Sequence, residues 1–279
     1  MKTSNKLLIA FAALLIILPI LAMAVFSKVF YTDAKSWADL EKQNETFDGK
    51  SENMEAVPLS QFNSIKIADG KEISFHIRLI KDEKFGVKFR KSEKDFVKFS
   101  VDKDGQLLIN LMPKNKEYRY IDLFVYAPET NALSANNAST IQLNAKGDSL
   151  SLNLKKFNEL RFDDATLLQK LSINAEDGYT NMEENAIAKS VYLNLKNAGF
   201  RSNKISYEDL SINSQGKSGI DVFGGNDVNK KYNIRNLTLK TTDSADVTFR
   251  AINIEKAKGS LSNQTTIQLP VSNLKQILK

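Results

Sequence analysis

Between Pro58 and Pro128 apolar and polar residues take turns in a series of short runs: "SIKI", "ISFHIRL", "FGVKFR", "FVKFSV", "LLINL" and "YIDLFVYAP". Successive side chains of a strand point to opposite faces, so each run predicts a strand buried on one side only. The stretch "DKDGQ" at 102–106 predicts a hairpin turn between two of them. Beyond Pro128 plain alternation gives way to self-similarity. The strings "LSAN", "LSLN", "LSIN", "VYLN", "LSIN", "LTLK" and "LSNQ" begin at Leu133, Leu150, Leu171, Val191, Leu210, Leu237 and Leu261, with spacings of 17, 21, 20, 19, 27 and 24. Each is followed by a second short apolar run, such as "YTNM" after Leu171 or "GIDV" after Leu210.

Two or three short strands in a repeat of about twenty residues describe one rung of a β-solenoid. No single rung buries its apolar face, so Leu and Ile of one rung are expected to stack on those of the next in a shared interior. Ser takes the outward position between them. Asn153, Asn174, Asn194 and Asn213 are expected to end their strands at a corner, where stacked amides form a side-chain ladder. The competing reading is an ordinary sandwich with coincidental "LSIN" strings. The predicted class is all-β: a β-solenoid of the parallel β-helix type, with a preceding strand-rich segment and an N-terminal transmembrane helix.

That helix is read from residues 7–26, an uncharged stretch following Lys2 and Lys6. As a helix it is about 30 Å long, the thickness of a bilayer core. Ala22-Met23-Ala24 matches a signal-peptidase site, so cleavage near Ala24 and release is the alternative to an uncleaved anchor. Apolar character continues through Val25, Phe26, Val29, Phe30 and Tyr31, which favours the anchor, with Lys2 and Lys6 on the cytoplasmic side. The expected boundaries are 1–31 for the anchor, 32–58 for a polar tether, 59–128 for strand-rich first rungs or a cap, 129–270 for solenoid repeats and 271–279 for a tail. The expected location is the bacterial cell envelope, anchored in the inner membrane with the C-terminal part outside the cytoplasm.

The apolar N-terminal segment, "FNSIKI" at 62–67, "DGQLLINL" at 104–111, "IDLFVYAP" at 121–128 and the serial "LSIN" rungs together resemble the auto-transporter adhesin, head-GIN domain family. The resemblance spans roughly 59–270. It implies an exported β-solenoid of unknown biochemical role. Family rungs often carry Ser-Gly-Ser at their corners, whereas this chain has "NNAST", "FDDAT" and "AEDGYT", so no functional residue is carried over.

Candidate chemistry is sparse. The chain has no cysteine and one histidine, His76, which leaves no disulfide framework, thiol nucleophile or usual zinc site and predicts no metal and no cofactor. In "ISFHIRL" the alternation puts His76 on the outward face beside Arg78, where it is expected to be a solvated strand residue. Carboxylate pairs at Asp163-Asp164, Glu176-Asp177 and Glu183-Glu184 raise the alternative of a polysaccharide lyase or glycoside hydrolase on a parallel β-helix. They fall at different offsets within their rungs, so no catalytic residue is assigned.

The longest gap between rungs holds "GIDVFGGNDVNKKYNIRN" at 219–236. An insertion of this kind predicts a protruding loop, with Phe223, Asn226, Tyr232, Asn233 and Arg235 as candidate ligand contacts. The net charge is +6, short of a nucleic-acid-binding signature. Between Lys71 and Tyr120 there are 13 Lys and Arg against 8 Asp and Glu, which points to an anionic lipid surface or an envelope glycan as partner, alongside another envelope protein. The function expected from the sequence is a membrane-anchored, exported, non-enzymatic protein acting as an adhesin-like binder or scaffold.

Overall fold

The computed structural model describes residues 11, 14–21, 23, 42–112, 120–164, 166–184, 186–227 and 230–277. The chain divides into two compact units, residues 1–45 with 49–51, and residues 46–48 with 52–279. In the first unit residues 14–21 are helical with exposed side chains. The remainder of the transmembrane helix predicted over 7–26 falls largely outside the described residues. Among the described residues no helix is long and apolar enough to cross a membrane.

The second unit is all-β. Its strands are β1 (Met54–Pro58), β2 (Ser64–Ile67), β3 (Ser74–Lys81), β4 (Gly86–Arg90), β5 (Val97–Val101), β6 (Gln106–Leu111), β7 (Tyr120–Ala127), β8 (Ala132–Phe162) and β9 (Leu167–Glu176). They continue as β10 (Tyr179–Met182), β11 (Ile187–Lys196), β12 (Gly199–Asn203), β13 (Tyr207–Gln215), β14 (Ser218–Phe223), β15 (Asn233–Thr241), β16 (Ala245–Arg250), β17 (Asn253–Ser260) and β18 (Thr265–Gln268). A terminal helix, α1, covers Val271–Ile277.

From β8 onward each strand pairs in parallel with the strand two later, so the sheet curls round in rungs. One wall stacks β8, β9, β11, β13, β15 and β17, and a second stacks the end of β8 with β10, β12, β14, β16 and β18. In the first wall Leu150 lies opposite Leu171, Leu171 opposite Val191, Val191 opposite Leu210 and Leu210 opposite Leu237. All five are at most 3% exposed. A second inward file follows two residues on, through Leu152, Ile173, Leu193, Ile212 and Leu239. Burying each aliphatic side chain contributes about 1.5–3 kcal/mol, and none can be buried without its neighbouring rung.

The last rung departs from the sequence expectation. Leu261 was expected to open it, but Ala257 takes the place opposite Leu237, with Gly259 opposite Leu239. A Cβ on Gly259 would run into the Leu239 carbonyl, so the strands approach too closely there for a larger residue. Above this strand α1 closes the stack. Asn273 donates from its amide nitrogen to the Ile254 carbonyl at 2.8 Å, and Gln276 accepts from the Ala257 N–H at 2.7 Å. These side chains occupy backbone groups through which a further strand would otherwise add.

The opposite end is built out of sequence order. β2 and β3 form a rung on the starting segments of β8, and the later pair β6 and β7 stacks in parallel outside them. Antiparallel strands then finish this end, with β5 on β6, β4 on β7 and β1 on β4. Several lysines of this region have partners within the chain. Lys88 is buried with its ammonium 2.8 Å from the Thr46 carbonyl, and Lys71 and Lys91 donate to the Leu111 and Glu52 carbonyls. Lys84 and Lys94 pair with Asp48 and Glu55.

The corner that follows the first wall is a file of left-handed residues: Lys156, Asp177, Asn197 and Gly216, with φ of 51, 55, 50 and 71°. Asp, Asn and Gly suit that region, whereas lysine is strained there by about 1 kcal/mol. Lys156→Gly should therefore raise the unfolding free energy by up to about 1 kcal/mol, and Gly216→Ala should lower it by at least as much. Paired urea melts check both signs.

A candidate binding face and a bridged histidine

Outward residues of the first wall form straight files, because the register never slips over four rungs. Asn153, Asn174, Asn194 and Asn213 are opposite one another in turn. The Asn174 amide donates to the Asn153 oxygen at 2.6 Å, Asn194 to Asn174 at 2.7 Å, and Asn213 to Asn194 at 3.4 Å. The ladder expected from the repeats is present, with one correction to its place. Its members lie within the strands on the flat outer face, each three residues before the left-handed corner. Asn has the same parity as the outward Ser, and a strand runs two residues past it, as at Lys155, Glu176, Lys196 and Gln215.

Each inner ladder amide uses one N–H and one oxygen lone pair on its neighbours, leaving the second N–H and second lone pair directed outward. Beside the ladder runs the file Lys155, Glu176, Lys196, Gln215. Glu176 accepts from Lys155 at 3.1 Å and from Lys196 at 2.5 Å, and both lysines hold its carboxyl below the usual range. Between the two files is a shallow groove of about 210 Å³. On the ladder's other side Tyr192 is half exposed, with the Lys170 ammonium 5.0 Å from its ring centre.

His76 is not the solvated residue that its alternation suggests. It lies opposite Asp122 of β7 and Gln142 of β8. Its Nδ1 is 3.3 Å from an Asp122 oxygen and its Nε2 is 2.5 Å from an Asp163 oxygen. The other Asp122 oxygen accepts from Arg90 at 2.7 Å, and the other Asp163 oxygen accepts from the Gln142 amide. An imidazole facing carboxylates at both nitrogens donates from both, so it is the cation. Burial alone would push its pKa down, but the hydrogen bonds to Asp122 and Asp163 outweigh this and raise it from 6.5 to about 9. Burial would raise both aspartates, yet the hydrogen bonds from His76 and from Arg90 or Gln142 hold them below the usual range.

Glu93, 2% exposed, lies near Asp122; burial and then the Asp122 charge push it up to about 7. All four carboxylate oxygens of the aspartates are engaged, and Glu93 is sealed from solvent. Chemically this is an ion cluster that ties β3, β7 and the residue following β8 together. The sequence gives no direct sign of it, because the register of strands almost fifty and ninety residues apart decides it. Among the described residues no group of three or more His, Cys, Asp or Glu could hold a metal.

The five residues proposed from the rung insertion do not share one surface. Phe223 ends β14 half-buried, with the Arg250 guanidinium 5.5 Å from its ring centre. Asn226 is exposed in the loop, while Tyr232 is 7% exposed and belongs to the core. Asn233 donates to Glu255 at 3.1 Å and, with Arg235, borders a cleft of about 150 Å³ beside Ile187 and Lys189. Aromatic character alone did not distinguish the ring that packs inward from one that faces solvent.

Residues 61–233 match the model of the family described as "Putative auto-transporter adhesin, head GIN domain". No curated protein matches the chain. Among solved structures, a putative adhesin from Bacteroides fragilis is 14% identical, with a TM-score of 0.48 over 78% of this chain and 97% of that one. A putative adhesin from Parabacteroides merdae is 14% identical, with a TM-score of 0.38 over 77% and 91%. A putative lipid binding protein from Parabacteroides distasonis is also 14% identical, with a TM-score of 0.37 over 78% and 94%.

Proposed function

Because the chain belongs to the auto-transporter adhesin, head-GIN domain family, we propose that it is an exported, adhesin-like, non-enzymatic protein of the bacterial cell envelope. The observation that carries this reading is the asparagine ladder, a row of outward amides held in fixed register by the stacked rungs beneath. Such a face offers many weak polar contacts with little ordering cost, which suits binding an extended partner. In this reading residues 1–31 anchor the chain in the inner membrane, with release after Ala24 as the alternative.

Catalysis by the lyase or hydrolase route needs an accessible acid and base. The carboxylates that come together, Asp122 and Asp163, are each committed to charged or amide donors, which speaks against that route.

The test is to expose the full-length chain to separated envelope fractions (polysaccharide, phospholipid vesicles, membrane protein) and measure both retention and release of new sugar ends. Besides the vesicle insertion that residues 1–31 give by themselves, saturable retention on the polysaccharide or the membrane-protein fraction without sugar release is expected. Retention by neither of these two, or release of sugar ends, would overturn the proposal.

A further inference from the structure

The outer faces of the two walls differ in charge. On the first wall, residues 149–155, 170–176, 190–196, 209–215, 236–241 and 256–260 present Lys155, Lys170, Lys196, Lys240, Lys256 and Lys258 against only Glu176 and Asp209. On the second wall Arg161, Arg201 and Arg250 face an equal number of acids, Glu159, Asp221 and Asp246. Arg161 pairs with Glu159 at 2.6 Å, and Arg250 and Arg201 reach Asp221 at 3.0 and 3.9 Å. One wall is interlocked and neutral; the other keeps a net positive face.

The positive charge also continues the ladder. Lys240 takes the position above Asn213, and Lys258 takes the position above Thr238, in the file of outward Ser, Thr and Tyr. Both lysines are exposed. The ladder therefore runs from a file of amides to Lys240, with Lys258 in the next file on its Tyr192 side, along the direction in which rungs repeat every ~4.8 Å.

The geometry points to a linear acidic glycan as the partner of this face, lying along the asparagine file with its carboxylate groups toward the lysines. The inference rests on the reading of the chain as an envelope binder and names the site and ligand class for it. An extended saccharide chain presents hydroxyls on every unit, which match outward amide N–H and C=O groups, and its negative charge complements the six lysines. A bilayer is favoured less, since a groove along the rungs fits a chain rather than a plane. Tyr192 is the one aromatic ring on the face.

The probe is a polygalacturonate oligosaccharide titrated against the full-length chain, with a neutral cellulose oligosaccharide and phosphatidylglycerol vesicles in parallel. Polygalacturonate should bind, and more weakly at high salt. The pair Lys240→Gln and Lys258→Gln should weaken binding about tenfold or more, a margin set by two lost charge contacts. Lys98→Gln with Lys103→Gln removes equal charge from exposed sites near the other end and should change binding less than about twofold. Asn194→Asp should weaken it while leaving the melt close to the parent's.

Equal losses in both lysine pairs would overturn the site. Binding to the neutral oligosaccharide but not to polygalacturonate, or vesicle binding that the Lys240 and Lys258 pair weakens in place of it, would overturn the ligand class while leaving an envelope binder in place. Retention by no envelope fraction would overturn the broader reading as well.

Discussion

Truncating Leu171 to alanine should lower the unfolding free energy by about 3–4 kcal/mol, a loss set by transferred surface plus the cavity left behind. Leu171 is fully buried, with Leu150 below it and Val191 above. The backbone of both neighbours is fixed by continuous parallel pairing, so the gap cannot close by collapse. A rung contacts only the rungs beside it, so position decides the cost. The same three-carbon truncation at Ile254, in the last strand of the first wall and 5% exposed, should cost clearly less, because a rung lies on one side of it only. Urea melts of Leu171→Ala and Ile254→Ala measure the contrast. Equal losses would mean that the interior is not a file of stacked rungs.

Replacing His76 with glutamine should cost about 3 kcal/mol near pH 6, and the cost should fade as the pH rises to 9. Its pKa is raised from 6.5 to about 9, so the folded state holds the proton more tightly than the unfolded chain does. The stabilisation is fully present below about pH 6.5 and is lost as pH climbs through about 9. At about 1.4 kcal/mol per pKa unit the shift corresponds to the stated cost. Glu93 works in the same direction over a lower window. Its pKa is raised from 4.5 to about 7, so it too favours folding at low pH and withdraws that contribution as pH rises from 4.5 to 7. Asp122 and Asp163 are lowered, so their contribution is lost on acidification instead. Stability should therefore peak at about pH 4.5, where Glu93 begins to be forced to ionise, and decline in two steps toward pH 9. Melts from pH 4 to 10 test this: His76→Gln should flatten the limb between 6.5 and 9, and Glu93→Gln the limb between 4.5 and 7. A parent profile that rises from pH 6.5 to 9 would contradict the assignment.

The repeats made the stacked interior legible in the sequence, because inward Leu and Ile recur at a period that matches one rung. They also made the asparagine file legible, since residues at equal offsets in equal rungs must align. Its exact position was misread, because the left-handed corner is formed by Lys156, Asp177, Asn197 and Gly216, which share a conformation but no side-chain type. The last rung was misread for a similar reason. Packing against Leu239 demands a glycine at 259, so the strand that completes the stack lacks the Leu motif, and "LSNQ" only looks like a rung start.

The histidine cluster was not legible at all. Local alternation correctly directs His76 outward, but the outward face at that point is shared with Asp122, Gln142 and Asp163. Which strands stand beside β3 depends on β6 and β7 stacking outside β2 and β3, an inversion of chain order that no local pattern encodes.

The central claim, that successive repeats lie in register one above the next, has a direct test in a chain without native cysteine. Asn174 and Asn194 are opposite each other on adjacent strands, and Asn174 and Asn213 are two strands apart. Adjacent strands put paired Cα atoms ~4.8 Å apart, within disulfide reach, and alternate strands about twice that, beyond it. The account predicts that Asn174→Cys with Asn194→Cys forms an intramolecular disulfide under mild oxidation and that Asn174→Cys with Asn213→Cys does not. Bridging of the second pair in preference to the first would contradict it.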